Sequence, residues 1–226
     1  MLSIMEHYTN CLLGELRYMD WYNYENQIDK AGDKIICGID EAGRGPLAGP
    51  VFAAAVILPR GLVIDGINDS KKLSEKKREQ LFDIIIAKAL AYGIASADER
   101  EIDEHNILNA TFMAMRRAAE QLGIAPEFAL VDGNRDPGLY YCPSQCIVGG
   151  DGKSASIAAA SILAKVSRDR YMLKLDKKYP HYLFAKHKGY PTREHYEAIL
   201  KYGPTDIHRM SFLKNLEEKR IAFENR

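Results

Sequence analysis

Gly38 Ile39 Asp40 Glu41 Ala42 Gly43 Arg44 Gly45 Pro46 Leu47 Ala48 Gly49 Pro50 is the stretch on which the reading of this chain turns. Ile35, Ile36 and Ile39 make an extended apolar run, which places Asp40 and Glu41 at its C-terminal end, pointing to opposite sides of the backbone. Two acids in that position are costly unless a cation or hydrogen-bond donors compensate them. The glycines on either side of Arg44 free the backbone for unusual φ values and let peptide N–H groups approach a polyanion or a sugar closely. Pro46 and Pro50 argue against a helix after the turn, which removes a dinucleotide-binding fingerprint as an explanation.

Outward from this segment the sequence predicts strands over 34–40, 49–58 and 92–97 and a helix over 74–90 with an apolar face of Leu81, Ile84 and Ile85. A helix over 106–122 ends at Gly123, followed by short strands over 128–131 and 146–148. A long helix over 153–178 opens with small residues suited to tight packing on a sheet, and helical segments follow over 192–202 and from about 210. Strands first, then strand and helix in alternation, give an α/β fold with a mixed central sheet flanked by helices and a helical C-terminal region. The expected division is an N-terminal helical extension over 1–33, a core over 34–180 and a C-terminal helical region over 181–226.

The 226 residues suit one large domain, and 46% hydrophobic composition supplies a core. No run of about 18 apolar residues occurs and residues 1–10 lack the pattern of a secretory leader, so the expectation is a cytoplasmic, monomeric protein without a membrane role. Four cysteines do not make a disulfide framework, and Cys142 and Cys146 lack the second pair that a zinc site needs. The net charge of zero conceals an asymmetry: from residue 151 onward 16 Lys and Arg face 9 Asp and Glu. That basic third is where a polyanion would be held. Gly152 Lys153 Ser154 has the ending of a phosphate loop, but Ile147 stands where its first glycine belongs, so no nucleotide cofactor is expected.

Three acids fall at strand ends: Asp40, Glu41 and Asp132. If the two strands that carry them are parallel neighbours, the acids meet at the sheet edge where α/β folds build their sites. A two-ion site needs a fourth acid, and Asp151 and Asp169 are the candidates. Some 18 helical positions would separate them by roughly 27 Å, whereas paired catalytic ions lie about 4 Å apart. Asp151 follows Gly149 and Gly150 at a strand-to-helix junction, while Asp169, between Arg168 and Arg170, is accounted for by ion pairing. Oxygen ligands point to Mg²⁺ or Mn²⁺, ions suited to phosphodiester hydrolysis.

Six segments in order resemble bacterial ribonuclease HII: the opening stretch from Asp40 to Pro50; Asn68 Asp69 Ser70 Lys71 Lys72 Leu73 Ser74; Val131 Asp132 Gly133; Ala159 to Val166 with Arg168 and Asp169; His187 Lys188 Gly189 Tyr190 Pro191 Thr192; and Ile207 His208 Arg209 with Ser211 and Phe212. The resemblance implies a ribonuclease H-like fold and an endonuclease acting on RNA/DNA hybrids and on duplex DNA containing ribonucleotides, dependent on Mn²⁺ or Mg²⁺. It implies that Asp40, Glu41, Asp132 and Asp151 bind the metal, with Asp40 shared between two ions. Gly43, Arg44 and Gly45 would sense the ribose 2′-hydroxyl, Tyr190 would stack on the adjoining deoxyribose, and Ser70 and Lys71 would contact phosphate. Two rivals stand beside it. A ribonuclease HIII-like nuclease would lack junction specificity; Arg44 between two glycines and the lack of a sizeable N-terminal substrate-binding domain weigh against it. A silent hybrid-binding module would gain nothing from clustered acids.

Overall fold

The computed structural model describes residues 20–216 and 218. A five-stranded mixed sheet runs in the order β3-β2-β1-β4-β5, with β1 Ile36–Ala42, β2 Val51–Ile57, β3 Ala91–Ala97, β4 Phe128–Asp132 and β5 Ser144–Ile147. β2 is antiparallel to both β1 and β3, whereas β4 is parallel to both β1 and β5. The parallel pairing of β1 with β4 is the condition the sequence reading set for bringing the strand-end acids together. β1 extends two residues past the expected end, so Asp40 and Glu41 lie within the ladder, opposite Ala54 and Ala53 of β2.

The helices are α1 Asn23–Ile28, α2 Glu75–Lys88, α3 Glu99–Glu120, α4 Ala155–Lys178, α5 Phe184–His187 and α6 Arg193–Tyr202. Alternation along β1 sends Cys37 and Ile39 into a core with Ala110, Ala114 and Met115 of α3. On the other face, Ala54 and Val56 of β2 pack with Ala158, Ile162 and Leu163 of α4 and Leu81 and Ile85 of α2. The run of small residues at the start of α4 matters because the helix lies directly on β1. A Cβ on Gly38 would come within 2.1 Å of the Ser156 carbonyl carbon, so only glycine admits that approach.

α3 begins seven residues earlier than the sequence predicts. Asp98 and Glu101 form a reciprocal capping box at its start, and the helix is interrupted at Asn106, which sits at φ 65. The Asn106 carboxamide accepts from the amides of Leu108 and Asn109 and so starts the second segment, which is the one visible as hydrophobic periodicity. A third core beyond the sheet joins Leu47 and Ala48 to Met172, Tyr182, Phe184, Ala198 and Ile199, tying the turn after β1 to the C-terminal helices. Cys37, Cys142 and Cys146 are free thiols; Cys11 lies outside the described residues, as do most of the expected helices over 1–33. No described helix is long and apolar enough to cross a membrane.

Candidate active site

Asp40 projects from β1 toward α4 and is buried, with its Oδ1 accepting from the Glu41 amide at 2.6 Å. Burial raises its carboxyl well above the ordinary carboxylate range, and the neighbouring charges of Glu41 and Asp132 add to the rise. Glu41 takes the opposite face of the strand. Its pKa is also raised, first by burial, with Arg44 opposing that shift from 3.4 Å. Asp132 ends β4, and its Oδ1 accepts from the Gly150 amide at 2.7 Å, which fixes the β5-to-α4 junction. Asp151 follows in that junction, buried, its carboxyl raised by burial, with the opposing Lys71 ammonium 3.4 Å from Oδ2.

Four carboxylates thus interact through one stretch of low dielectric at the C-terminal ends of β1 and β4. Among the described residues, no three His, Cys, Asp or Glu side chains form a ready-made ion cage. Glu41 is instead drawn toward Arg44, and Asp151 toward Lys71. Asp169 does not join the group. Its Oδ1 accepts from Lys165 at 2.7 Å, and Arg78 lies 3.9 Å from Oδ2. The sequence reading anticipated an ion-pair role for Asp169 but not these partners: Arg170 instead pairs with Glu79, and Arg168 turns into the core.

The turn after β1 stands beside the acids. Gly43 has φ 97, and a Cβ there would meet Arg168 Nε at 2.0 Å, so both conformation and space require glycine. Arg44 is half exposed. Tyr190, also partly exposed, approaches Gly45 closely enough for a Cβ there to sit 3.6 Å from Cε1 of its ring. Lys71 reaches into the acid cluster. Ser70 does not reach solvent: it is buried and its hydroxyl pairs with that of Ser161 at 2.9 Å. A cavity of about 250 Å³ opens on the Glu41 side, lined by Arg44, Asp132 and Arg135 above an apolar floor that includes Leu108 and Phe112.

Sequence reasoning missed three supports of this site. Glu25 of α1 accepts from the hydroxyls of Ser154 and Ser156 at 2.7 Å each, capping the start of α4 next to Asp151. Arg168 and Arg209 are fully buried and bond to carbonyls of the turn. The signal for Arg168 was present: it stands four residues from Ala164 and four from Met172, an arginine on an otherwise apolar stripe. Arg209 and Glu25 have no comparable periodic signature.

A family model described as Ribonuclease HII matches residues 37–215. The chain is 56% identical over 197 residues to ribonuclease HII of Caldicellulosiruptor bescii, covering 87% of this chain and 95% of that protein. It is 60% identical over 178 residues to ribonuclease HII of Acinetobacter baylyi, covering 79% and 94%. Among solved structures it resembles the ribonuclease H2 of Pyrococcus horikoshii, with a TM-score of 0.69 and 29% identity over 84% of this chain and 99% of that one. The mixed sheet with flanking helices is the ribonuclease H-like fold, and with a match across most of its length the chain belongs to the ribonuclease HII family of endoribonucleases.

Proposed function

We propose that the protein hydrolyses the RNA strand of RNA/DNA hybrids and cuts on the 5′ side of ribonucleotides embedded in duplex DNA, leaving 3′-hydroxyl and 5′-phosphate ends. The observation that carries this reading is that one segment holds both the clustered acids and the glycine turn. Asp40 and Glu41 belong to the acid cluster, and the glycine turn begins two residues later, with Tyr190 beside Gly45.

Divalent ions, Mn²⁺ or Mg²⁺, would supply charge stabilisation and an activated water at the scissile phosphate. The donor set fits such ions, since it consists of hard carboxylate oxygens whose mutual repulsion and burial a divalent charge relieves. Asp40 would serve both ions, Glu41 and Asp132 one of them, and Asp151 the other. To reach that arrangement Glu41 leaves Arg44 and Asp151 leaves Lys71. The Arg44 guanidinium and the Lys71 ammonium would then be free beside the site to pair with a substrate phosphate.

The amides of residues 43–45 meet the 2′-hydroxyl, which is the group that separates RNA from DNA. Tyr190 stacks on the neighbouring deoxyribose, and the basic region over 181–226 supports the duplex. Lys71 contacts phosphate from the protein surface. The inward position of Ser70 leaves its hydroxyl the task of holding Ser161, near Asp40.

A DNA duplex with a single ribonucleotide, incubated with Mn²⁺ or Mg²⁺, tests the reading. One cut immediately 5′ of the ribonucleotide is expected. Cutting only at runs of ribonucleotides would contradict junction recognition, and binding without cutting would contradict catalysis.

A further inference from the structure

Two arginines lie wholly inside the protein, 1% and 0% exposed, yet among the described residues neither hydrogen-bonds to a carboxylate. Arg168 donates from Nε to the Pro50 carbonyl at 3.1 Å, from Nη2 to Ala48 at 3.2 Å and from Nη1 to Lys188 at 2.9 Å. Arg209 donates from Nη2 to Gly43 at 2.7 Å, from Nη1 to Arg44 at 3.0 Å, and from both Nε and Nη2 to Gly49 at 2.9 and 2.6 Å. Every acceptor belongs either to the turn over 43–50 or to the residue just before Gly189 and Tyr190.

This arrangement is expensive. Desolvation depresses the pKa of both guanidinium groups, Arg168 to about 10 and Arg209 to about 9, and in Arg209 the charge of Arg168 adds to the effect. Apolar side chains of similar volume would avoid that cost. What they could not supply is the rigid fork of N–H donors that holds several carbonyls at fixed separations.

The backbone confirms the tie. The Leu47 amide donates to the Gly189 carbonyl at 2.8 Å, the Gly49 amide to Ile207 at 2.9 Å, and the Arg209 amide to Leu47 at 2.8 Å. Lys188, whose carbonyl Arg168 holds, sits at φ 51, a conformation unfavourable for a lysine unless its surroundings enforce it. The Arg168 guanidinium also lies 5.9 Å from the centre of the Tyr190 ring.

We propose that Arg168 and Arg209 are positioning residues that clamp the turn over 43–50 to the Tyr190 loop, so that the two halves of the sugar-reading site move as one body. The proposal rests on the reading that the turn and Tyr190 recognise the ribonucleotide. Neither arginine touches substrate; each acts through backbone carbonyls.

Arg209→Lys keeps the charge but loses the fork. Hydrogen exchange followed by mass spectrometry should show faster exchange in the peptides over 43–50 and 187–191 together. In kinetics, kcat on a single-ribonucleotide duplex should fall about tenfold or more, because misplacement by an ångström is costly to chemistry. Affinity for an all-deoxy duplex should change by less than about threefold, since phosphate contacts are left in place. Arg168→Lys provides the same comparison should Arg209→Lys not fold. Exchange that quickens only around the substituted residue, or a kcat that is unchanged, overturns the clamp. If the wild type itself cuts no embedded ribonucleotide, the functional reading fails, and the exchange experiment still decides whether the two loops are coupled.

Discussion

Asp151 and Asp169 are both buried acids, yet their partners assign them different work. Asp151 interacts with the charges of Asp132 and Asp69, hydrogen-bonds with Asp69 and faces the exposed Lys71, whereas Asp169 is paired with Lys165 and faces Arg78. Asp151→Asn is therefore expected to reduce metal-dependent cleavage by about a hundredfold or more while leaving the fold intact. Asp169→Asn should retain the cleavage rate and lose about 1–3 kcal/mol of stability from broken buried hydrogen bonds. Steady-state rates and urea unfolding of both variants check this, and the reverse pattern would exchange their roles. Gly43 offers a second test at this scale. Gly43→Ala must adopt a left-handed φ and displace Arg168, so unfolding should show a loss of at least about 1–3 kcal/mol.

Among the elements, the C-terminal region carries a chain of three buried histidines, His187 and His195 on α5 and α6 and His208 beyond them, whose hydrogen bonds dictate their protonation. The Gly189 amide donates to His187 Nδ1, which leaves Nε2 to donate to the Tyr182 carbonyl. His208 Nδ1 accepts from the Thr205 amide, so its Nε2 donates to His195 Nε2, and His195 Nδ1 donates to the Tyr190 carbonyl. All three rings are neutral in this network, and protonating His195 would set two N–H groups against each other. Burial lowers the pKa of His195 to about 3 and of His208 to about 4, from 6.5. The unfolded chain takes up protons below about pH 6.5 that the folded rings refuse, so their contribution is fully present above that pH and is lost as the pH falls toward 4. Urea unfolding from about pH 7 down to about pH 4.5 should show a decline steeper by up to about 1.4 kcal/mol per pH unit for each ring. His208→Gln should flatten it; an unchanged slope would contradict the neutral network. At the other end of α4, Glu25→Ala leaves the Ser154 and Ser156 hydroxyls without their shared acceptor, for an expected loss of about 1–3 kcal/mol in thermal or urea unfolding.

For the molecule as a whole, much of the fold and the four acids were legible because they depend on local pattern: apolar strands closed by acids, a proline-bounded glycine turn, a helix of small residues. The buried fittings were not. The inward Ser70, the carbonyl-bonded Arg168 and Arg209 and the Glu25 cap arise from contacts between distant segments, which leave little periodic trace in the sequence, and the break at Asn106 is a local side-chain cap inside a helical run. The contacts of Arg168 and Arg209 join the turn that follows the β1 acids to the C-terminal region, the surface proposed to read the sugar. The most direct measurement uses one DNA duplex in three versions, with a ribonucleotide, a 2′-O-methyl nucleotide or a deoxynucleotide at the same position, each incubated with Mn²⁺. A single cut 5′ of the ribonucleotide, giving 3′-hydroxyl and 5′-phosphate ends, is expected, with neither modified duplex cut at a comparable rate. Equal cutting of all three would contradict it, because the 2′-hydroxyl would then play no part in directing the acids to their bond.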